Sequence, residues 1–242
     1  MSDQNKPVVN PVKNRYSPNV GPFAVMVSTE GDFYKLSRSL NIQESDLSPL
    51  FIGKYYSDEL RGFSITGPII SAPYAVMVLE NLIAWGAREI FFLGWCGSIC
   101  PDVKIGDIIL PSGAFIDEGT SLHYNAHTGD IAKPEALLSE KVKNSLKDKQ
   151  ILCHQAPIWT TDAIFRETPS KIQHFRKKGA IGVEMELSAL FTVGAFRKVQ
   201  VTPILIVSDE LATLKWRPGF KDKKFKQARK TVCELIADLC IP

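Results

Sequence analysis

The sequence predicts an α/β fold in a single domain, with a mainly parallel sheet flanked by helices. Three observations carry this. Short apolar runs alternate with helix-like segments, the βα pattern of such a sheet. No repeat or internal linker interrupts the alternation. A chain of 242 residues that is 45% hydrophobic and 23% charged can also bury a substantial core.

Taken in order, residues 1–20 are rich in Pro, Asn and Val and read as an extended or mobile arm ahead of a domain over 21–242. PFAVMVS at 22–28 reads as a buried strand, followed by Gly31-Asp32 and the helix-like FYKLSRSL. GFSITG at 62–67 is a second strand. APYAVMVLENLIAWGA at 72–87 is a helix, with Pro73 suited to its first turn and Gly86 to its stop. EIFFLG at 89–94 is a strand running into the glycine-punctuated loop GWCGSICPDVKIGD, and DIILPSGAF at 107–115 is the next strand. Helices are expected over 134–148, 169–178, 184–197 and 219–239, with an apolar strand, TPILIVS, at 202–208. In sheets of this kind functional residues gather beyond the carboxyl ends of strands. That singles out 94–98, TTDAIFR at 160–166 after ILCHQAPIW, and SDEL at 208–211.

Composition excludes several function classes. A net charge of +3 is too small to imply nucleic-acid binding, and the basic segment KWRPGFKDKKFKQARK at 215–230 reads as a solvated helix face. No apolar run reaches the length of a membrane span, and the first residues lack a signal peptide's apolar core, so a cytoplasmic protein is expected. The five cysteines include no C-x-x-C pair, and no histidine stands at ligand spacing. Neither a metal nor a structural disulfide is expected, and Cys96 and Cys100 read as small buried thiols.

Two acidic positions need an explanation. In GAIGVEMELS at 179–188, two glutamates flank a methionine directly after an apolar Gly-Val pair. They are either a solvated helix start that complements the helix dipole or a binding site. Asp209, directly after an all-apolar strand, either caps the next turn or faces a ligand.

Together these segments resemble the nucleoside phosphorylase and nucleosidase superfamily. GVEMELSALFTVGAFRKVQVTPILIVSDEL at 182–211 is similar to its V-E-M-E, helix, apolar strand and S-D signature. GWCGSICPDVKIGDIILPSGAFIDEGTSLHY at 94–124 is similar to its glycine loop, V-G-D strand and G-x-S-x-H-[YF] element. The resemblance implies a three-layer α/β/α sandwich with a twisted mixed sheet, and cleavage of the N-glycosidic bond of a nucleoside. It also implies that Glu186 accepts the ribose 2′ and 3′ hydroxyls, that Met185 packs beneath the sugar, and that Glu184 is a supporting or secondary ribose ligand. Asp209 matches the family's purine-side aspartate, a general acid for the leaving base. Thr161, Phe165 and Arg166 fall in the base-binding loop. Purines are favoured, and Arg166 would serve a pyrimidine carbonyl if the substrate were uridine.

The nucleophile is read from departures. Phosphorolytic members resemble one another in a G-D-P-x-R turn and an R-x-G-[TS] strand end. Here the turn is GDFYK, leaving Gly31 and Lys35, and the strand end is FLGW, with Phe92 at the arginine position, then Gly94, and Trp95 at the hydroxyl position. The family's G-x-G-G-P segment is IISAP at 69–73. Phosphorolysis, with inorganic phosphate as co-substrate and no other cofactor, is the first reading. A hydrolytic nucleosidase is the alternative, because lysine does not replace a forked guanidinium, and a non-catalytic nucleoside-binding protein is the second alternative. The resemblance further implies a homo-oligomer, a dimer or trimer of dimers, in which His123 and Tyr124 either border a neighbour's sugar or pack at the surface or interface.

Overall fold

Apolar residues at alternate positions drive both faces of one sheet into separate cores. The computed structural model describes residues 6–124 and 126–241. In chain order its strands are β1 (Phe23–Val27), β2 (Ser48–Leu50), β3 (Gly53–Asp58), β4 (Phe63–Gly67), β5 (Glu89–Ser98), β6 (Ile108–Ile109), β7 (Gly113–Asp117), β8 (Ile131–Ala132), β9 (Pro157–Thr161), β10 (Gly182–Glu184), β11 (Gln200–Glu210) and β12 (Arg217–Pro218). Its helices are α1 (Glu30–Ser39), α2 (Ala72–Trp85), α3 (Ala136–Asp148), α4 (Pro169–Lys177), α5 (Leu187–Arg197) and α6 (Lys223–Cys240).

The sheet runs β2-β3-β4-β1-β5-β10-β9-β7-β8, with β11 also paired to β5, β6 and β12. β1 lies parallel to β4 and β5, and β11 runs parallel to β5 along its whole length. The β2–β3–β4 pairs are antiparallel, so the sheet is mixed. Successive side chains point to opposite faces. Ala24, Met26, Ile90 and Phe92 therefore join α2 and α5 on one face, while Val25, Val27, Phe91 and Leu93 join α1 and α6 on the other. These are the three layers of the sandwich. Each fully buried Leu, Ile or Phe contributes roughly 1.5–3 kcal/mol, and Phe33, Phe63, Phe91, Phe92 and Phe225 are almost wholly enclosed.

Several boundaries differ from the sequence expectation. The supposed glycine loop at 94–98 is strand, because β5 continues to Ser98 and is held there by β10 and β11. β11 extends to Glu210, so Asp209 lies inside a strand. The strand expected over 107–115 is broken into β6 and β7 around Pro111, which cannot donate to a ladder. Residues 182–184 are strand, and the helix expected from 184 begins at Leu187. The β2–β3 hairpin carried no apolar alternation to reveal it, and every residue of β3 is half-buried. In the amino-terminal segment, Lys13 Nζ donates to the Trp85 carbonyl at 3.1 Å and Trp85 Nε1 to the Val12 carbonyl at 3.3 Å, which ties residues 12–13 to the end of α2. Residues 1–5 of the expected arm lie outside the described residues.

Gly106 locks α6 against the sheet. Its N–H donates to the Val207 carbonyl at 2.9 Å, its φ is +87°, and a Cβ there would lie 2.7 Å from Lys224 Cβ and 2.8 Å from the Lys224 carbonyl carbon. Gly106→Ala is expected to cost about 1–3 kcal/mol, lowering Tm by about 2–4 °C per kcal/mol. An unchanged melting curve would show that the start of α6 moves aside freely.

Candidate active site

The ends of β5, β10 and β11 and the turn after β9 enclose a cavity of about 540 Å³. Its walls are mainly apolar: Ile69, Ile70, Ile164, Val183, Met185 and Leu211, with Trp95, Phe165, Trp216 and Phe220. Four carboxyl groups, Glu167, Glu184, Glu186 and Asp209, also line it. Among the described residues no Lys, Arg or His does.

The two glutamates of the E-M-E segment have different tasks. Glu184 Oε2 accepts the backbone N–H groups of Glu186 and Leu187 at 2.7 and 2.8 Å, and its Oε1 accepts the Thr160 hydroxyl. It thereby satisfies amides at the start of α5 that have no partner within the helix. That turn is fixed again by Ser188, whose N–H donates to Thr160 Oγ1 and whose hydroxyl donates to Glu118, each at 3.0 Å. Glu186, held by this scaffold, accepts the Ser71 N–H at 2.7 Å. Ser71 has φ +67°, the left-handed region that favours glycine, and it stands in the segment where the family pattern carries glycines. Burial pushes the Glu186 carboxyl above the ordinary 4.5. Burial, then the charge of Glu186, does the same to Glu184.

Asp209 reaches the cavity through a β-bulge. The β11–β5 register is continuous to Val207–Cys96 and resumes at Asp209–Gly97, leaving Ser208 as the extra residue. Bulges re-aim side chains in this way. Gly97 is required opposite, because a Cβ there would lie 3.0 Å from Asp209 Oδ2 and 2.4 Å from Leu211 Cδ1. Asp209 Oδ1 accepts the Ser208 hydroxyl at 2.6 Å and Oδ2 the Trp216 indole N–H at 3.0 Å. Burial raises its pKa, and these two donors oppose the rise.

The wall expected to hold an anion is built differently. Trp95 Nε1 donates to Asp32 Oδ2 at 2.6 Å, and Arg229 Nε donates to Asp32 Oδ1 at 2.7 Å. The Arg229 guanidinium also lies 4.8 Å from the centre of the Trp95 ring, which meets Phe225 edge-on at 4.9 Å. Asp32 is fully buried. The cation behind this wall is thus already paired, and an indole separates it from the cavity. Phe92 is buried among apolar neighbours, its ring against Gly94.

Of the residues singled out in the sequence, the cavity brings together Glu184, Met185, Glu186, Asp209, Trp95 and Phe165. Thr161 is buried in β9, Arg166 is exposed, and neither lines the cavity. Gly31, Lys35 and Gly94 do not line it either. The basic segment at 215–230, read as a solvated face, contributes the buried ion pair of Arg229 and the cavity residues Trp216 and Phe220. Sequence reasoning passed over Asp32, Ser71, Glu167, Trp216 and Arg229. The signal for Glu167 was its place two residues after Phe165, and Asp32 stood in the quoted GDFYK turn. Among the described residues no cluster of His, Cys, Asp or Glu is placed to hold a metal, and no helix is long and apolar enough to cross a membrane.

The model of the phosphorylase superfamily matches residues 22–240. The chain belongs to the phosphorylase superfamily. Among sequence relatives in this superfamily, a DeoD-type purine nucleoside phosphorylase of Clostridium novyi is 34% identical over 163 residues, 66% of each chain. The match therefore spans just under two thirds of that relative's length. Superfamily structures confirm the fold. The Plasmodium knowlesi homologue of P. falciparum PNP superposes with a TM-score of 0.75 at 20% identity, covering 96% of both chains. An AMP nucleosidase from Bacteroides thetaiotaomicron superposes at 0.70 and 18% identity, covering 91% of this chain and 90% of its own.

A buried carboxyl with a raised pKa stabilises the fold fully below its unfolded value, and that contribution is lost as pH rises through the folded value. Glu186→Gln keeps the oxygen that accepts from Ser71 and removes the charge. We expect the variant to melt above the parent at pH 8, by a few degrees at about 2–4 °C per kcal/mol, and the difference to vanish near pH 4.5. Equal melting temperatures at pH 8 would show that Glu186 ionises without a penalty.

Proposed function

We propose that the protein cleaves the N-glycosidic bond of a purine nucleoside with water as the nucleophile, releasing the free base and ribose. The observation that supports this most is one apolar cavity lined by four carboxyl groups and, among the described residues, by no Lys, Arg or His. Departure of the base from C1′ leaves oxocarbenium-like positive charge on the sugar, and carboxylates in a dry cavity lower the energy of that state. Glu186 is anchored through Oε1 to Ser71 and offers its carboxylate to the ribose hydroxyls. Met185 packs beneath the sugar, and Glu184 serves by holding the α5 turn that presents Glu186. The leaving base needs a proton, supplied from the carboxyl groups at the other end of the cavity, where Asp209 lies.

Water suits this cavity better than phosphate. A dianion would enter beside four acidic groups, and the Arg229 guanidinium is behind Trp95 and neutralised by Asp32. A second reading, phosphorolysis to ribose 1-phosphate, is favoured by the name of the Clostridium novyi relative. That relative's name also supports purines over uridine. Assembly as a homo-oligomer in the cytoplasm completes the proposal.

The test is a panel of nucleosides incubated with and without phosphate, with ribose and ribose 1-phosphate identified separately. We expect ribose at a rate indifferent to phosphate, and a loss of about 10²–10³-fold in kcat for Glu186→Gln. Ribose 1-phosphate formed only with phosphate would establish the second reading. Binding of nucleosides without any product would make the chain a binding protein.

A further inference from the structure

One carboxyl group in the cavity has no partner. Glu167 follows the short 3-10 turn Ile164–Arg166 and directly precedes Thr168, the residue that caps α4. Its backbone is held there, its N–H donating to the Ile164 carbonyl at 3.4 Å while the Thr168 N–H donates to the Arg166 carbonyl at 2.9 Å. The side chain is half-buried and lines the cavity, near enough to Asp209 to feel its charge. Among the described residues nothing donates a hydrogen bond to its carboxyl group and no cation pairs with it.

Asp209 is in the opposite situation. Both of its oxygens accept hydrogen bonds, from Ser208 and from Trp216. Donors of this kind favour the ionised form of a carboxyl group. Of two neighbouring acids, the one with donors gives up its proton first, and the one without them keeps it. We infer that Glu167 is the general acid that protonates the leaving base, and that Asp209 is its ionised neighbour, an acceptor for an N–H of the same base.

The charges in the cavity agree with this division. Burial first, and then the negative charge of Asp209, push the Glu167 carboxyl up to about 7. The other titratable groups facing the cavity are Glu184 and Glu186, at the junction of β10 and α5, and the Cys96 thiol, pushed well above its usual range by burial and by the charges of Asp209 and Glu184. None is a cation that would draw the proton from Glu167. In the reaction, the electron pair of the breaking C1′–N bond passes to the base and the Glu167 proton goes to a base ring nitrogen. The water oxygen bonds to C1′ and releases one proton, and a solvent proton restores Glu167. Nucleoside and water thus become base and ribose, with no net change in charge.

This inference rests on the proposed nucleoside cleavage, and its test separates the two. Rates are measured across pH for a purine nucleoside and for 4-nitrophenyl riboside, whose leaving group departs without a proton, using the parent, Glu167→Gln and Asp209→Asn. For the parent, kcat/KM on the purine nucleoside is expected to fall as pH rises through about 7. Glu167→Gln is expected to lose about 10²–10⁴-fold on the purine nucleoside, to lose that alkaline limb, and to fall far less on 4-nitrophenyl riboside. Asp209→Asn is expected to keep the alkaline limb. A Glu167→Gln enzyme with purine rates within a few-fold of the parent and the limb intact would overturn the assignment. So would an Asp209→Asn enzyme that alone loses the limb, or equal Glu167→Gln losses on both substrates in a protein that melts like the parent. If the parent cleaves neither substrate, the proposed function itself falls, and the assignment with it.

Discussion

The pairing of β11 with β5 is the constraint on which the rest depends. Both strands outrun the sheet's centre, and their continued parallel contact carries Trp95, Cys96 and Gly97 on one strand opposite Ile206, Val207 and Asp209 on the other. The bulge at Ser208 occurs within this extension and turns Asp209 into the cavity. β10 closes the third side through Val183–Gly97 and Gly182–Ser98. Three strand ends converge because of one ladder, and the close approach explains why Gly97 bears no side chain.

The cavity's chemistry follows from desolvation. Its carboxyl groups are withdrawn from water with few compensating charges, so each is sorted by the donors it has. Glu184 receives three and acts as a cap, Asp209 receives two, Glu186 accepts from Ser71, and among the described residues Glu167 receives none. That gradation of hydrogen bonding, more than the identity of the side chains, is what separates their proposed roles. Asp32 is also a buried acid, but Arg229 and Trp95 satisfy it, so it shapes the cavity wall and adds no free charge.

Much of the fold was legible because apolar runs such as PFAVMVS and TPILIVS and the capped helix at 72–87 follow local rules. Boundaries failed where tertiary pairing overrode local signals. Glycines 94 and 97 suggested a loop, yet they are in strand because β10 and β11 pair there, and Phe92, Leu205 and Leu211 occupy the space side chains would need. Glu186, Met185, Asp209 and Trp95 were legible through the spacing of a family signature. Glu167 was not, since its significance lies in donors it lacks, and absence of a hydrogen bond has no sequence pattern. Arg229 was hidden among lysines, because nothing local distinguishes the one basic residue of a helix that turns inward.

The Asp32–Arg229 pair joins residues 197 positions apart. Trp95, whose indole hangs on that pair, is made long before its guanidinium partner in α6. A growing chain emerging from the ribosome therefore holds the β1, β5 and α1 portions of this wall with Asp32 still uncompensated, and burial of that lone charge is opposed until α6 docks. Closure of this wall therefore waits on α6, the helix that brings Arg229 to Asp32.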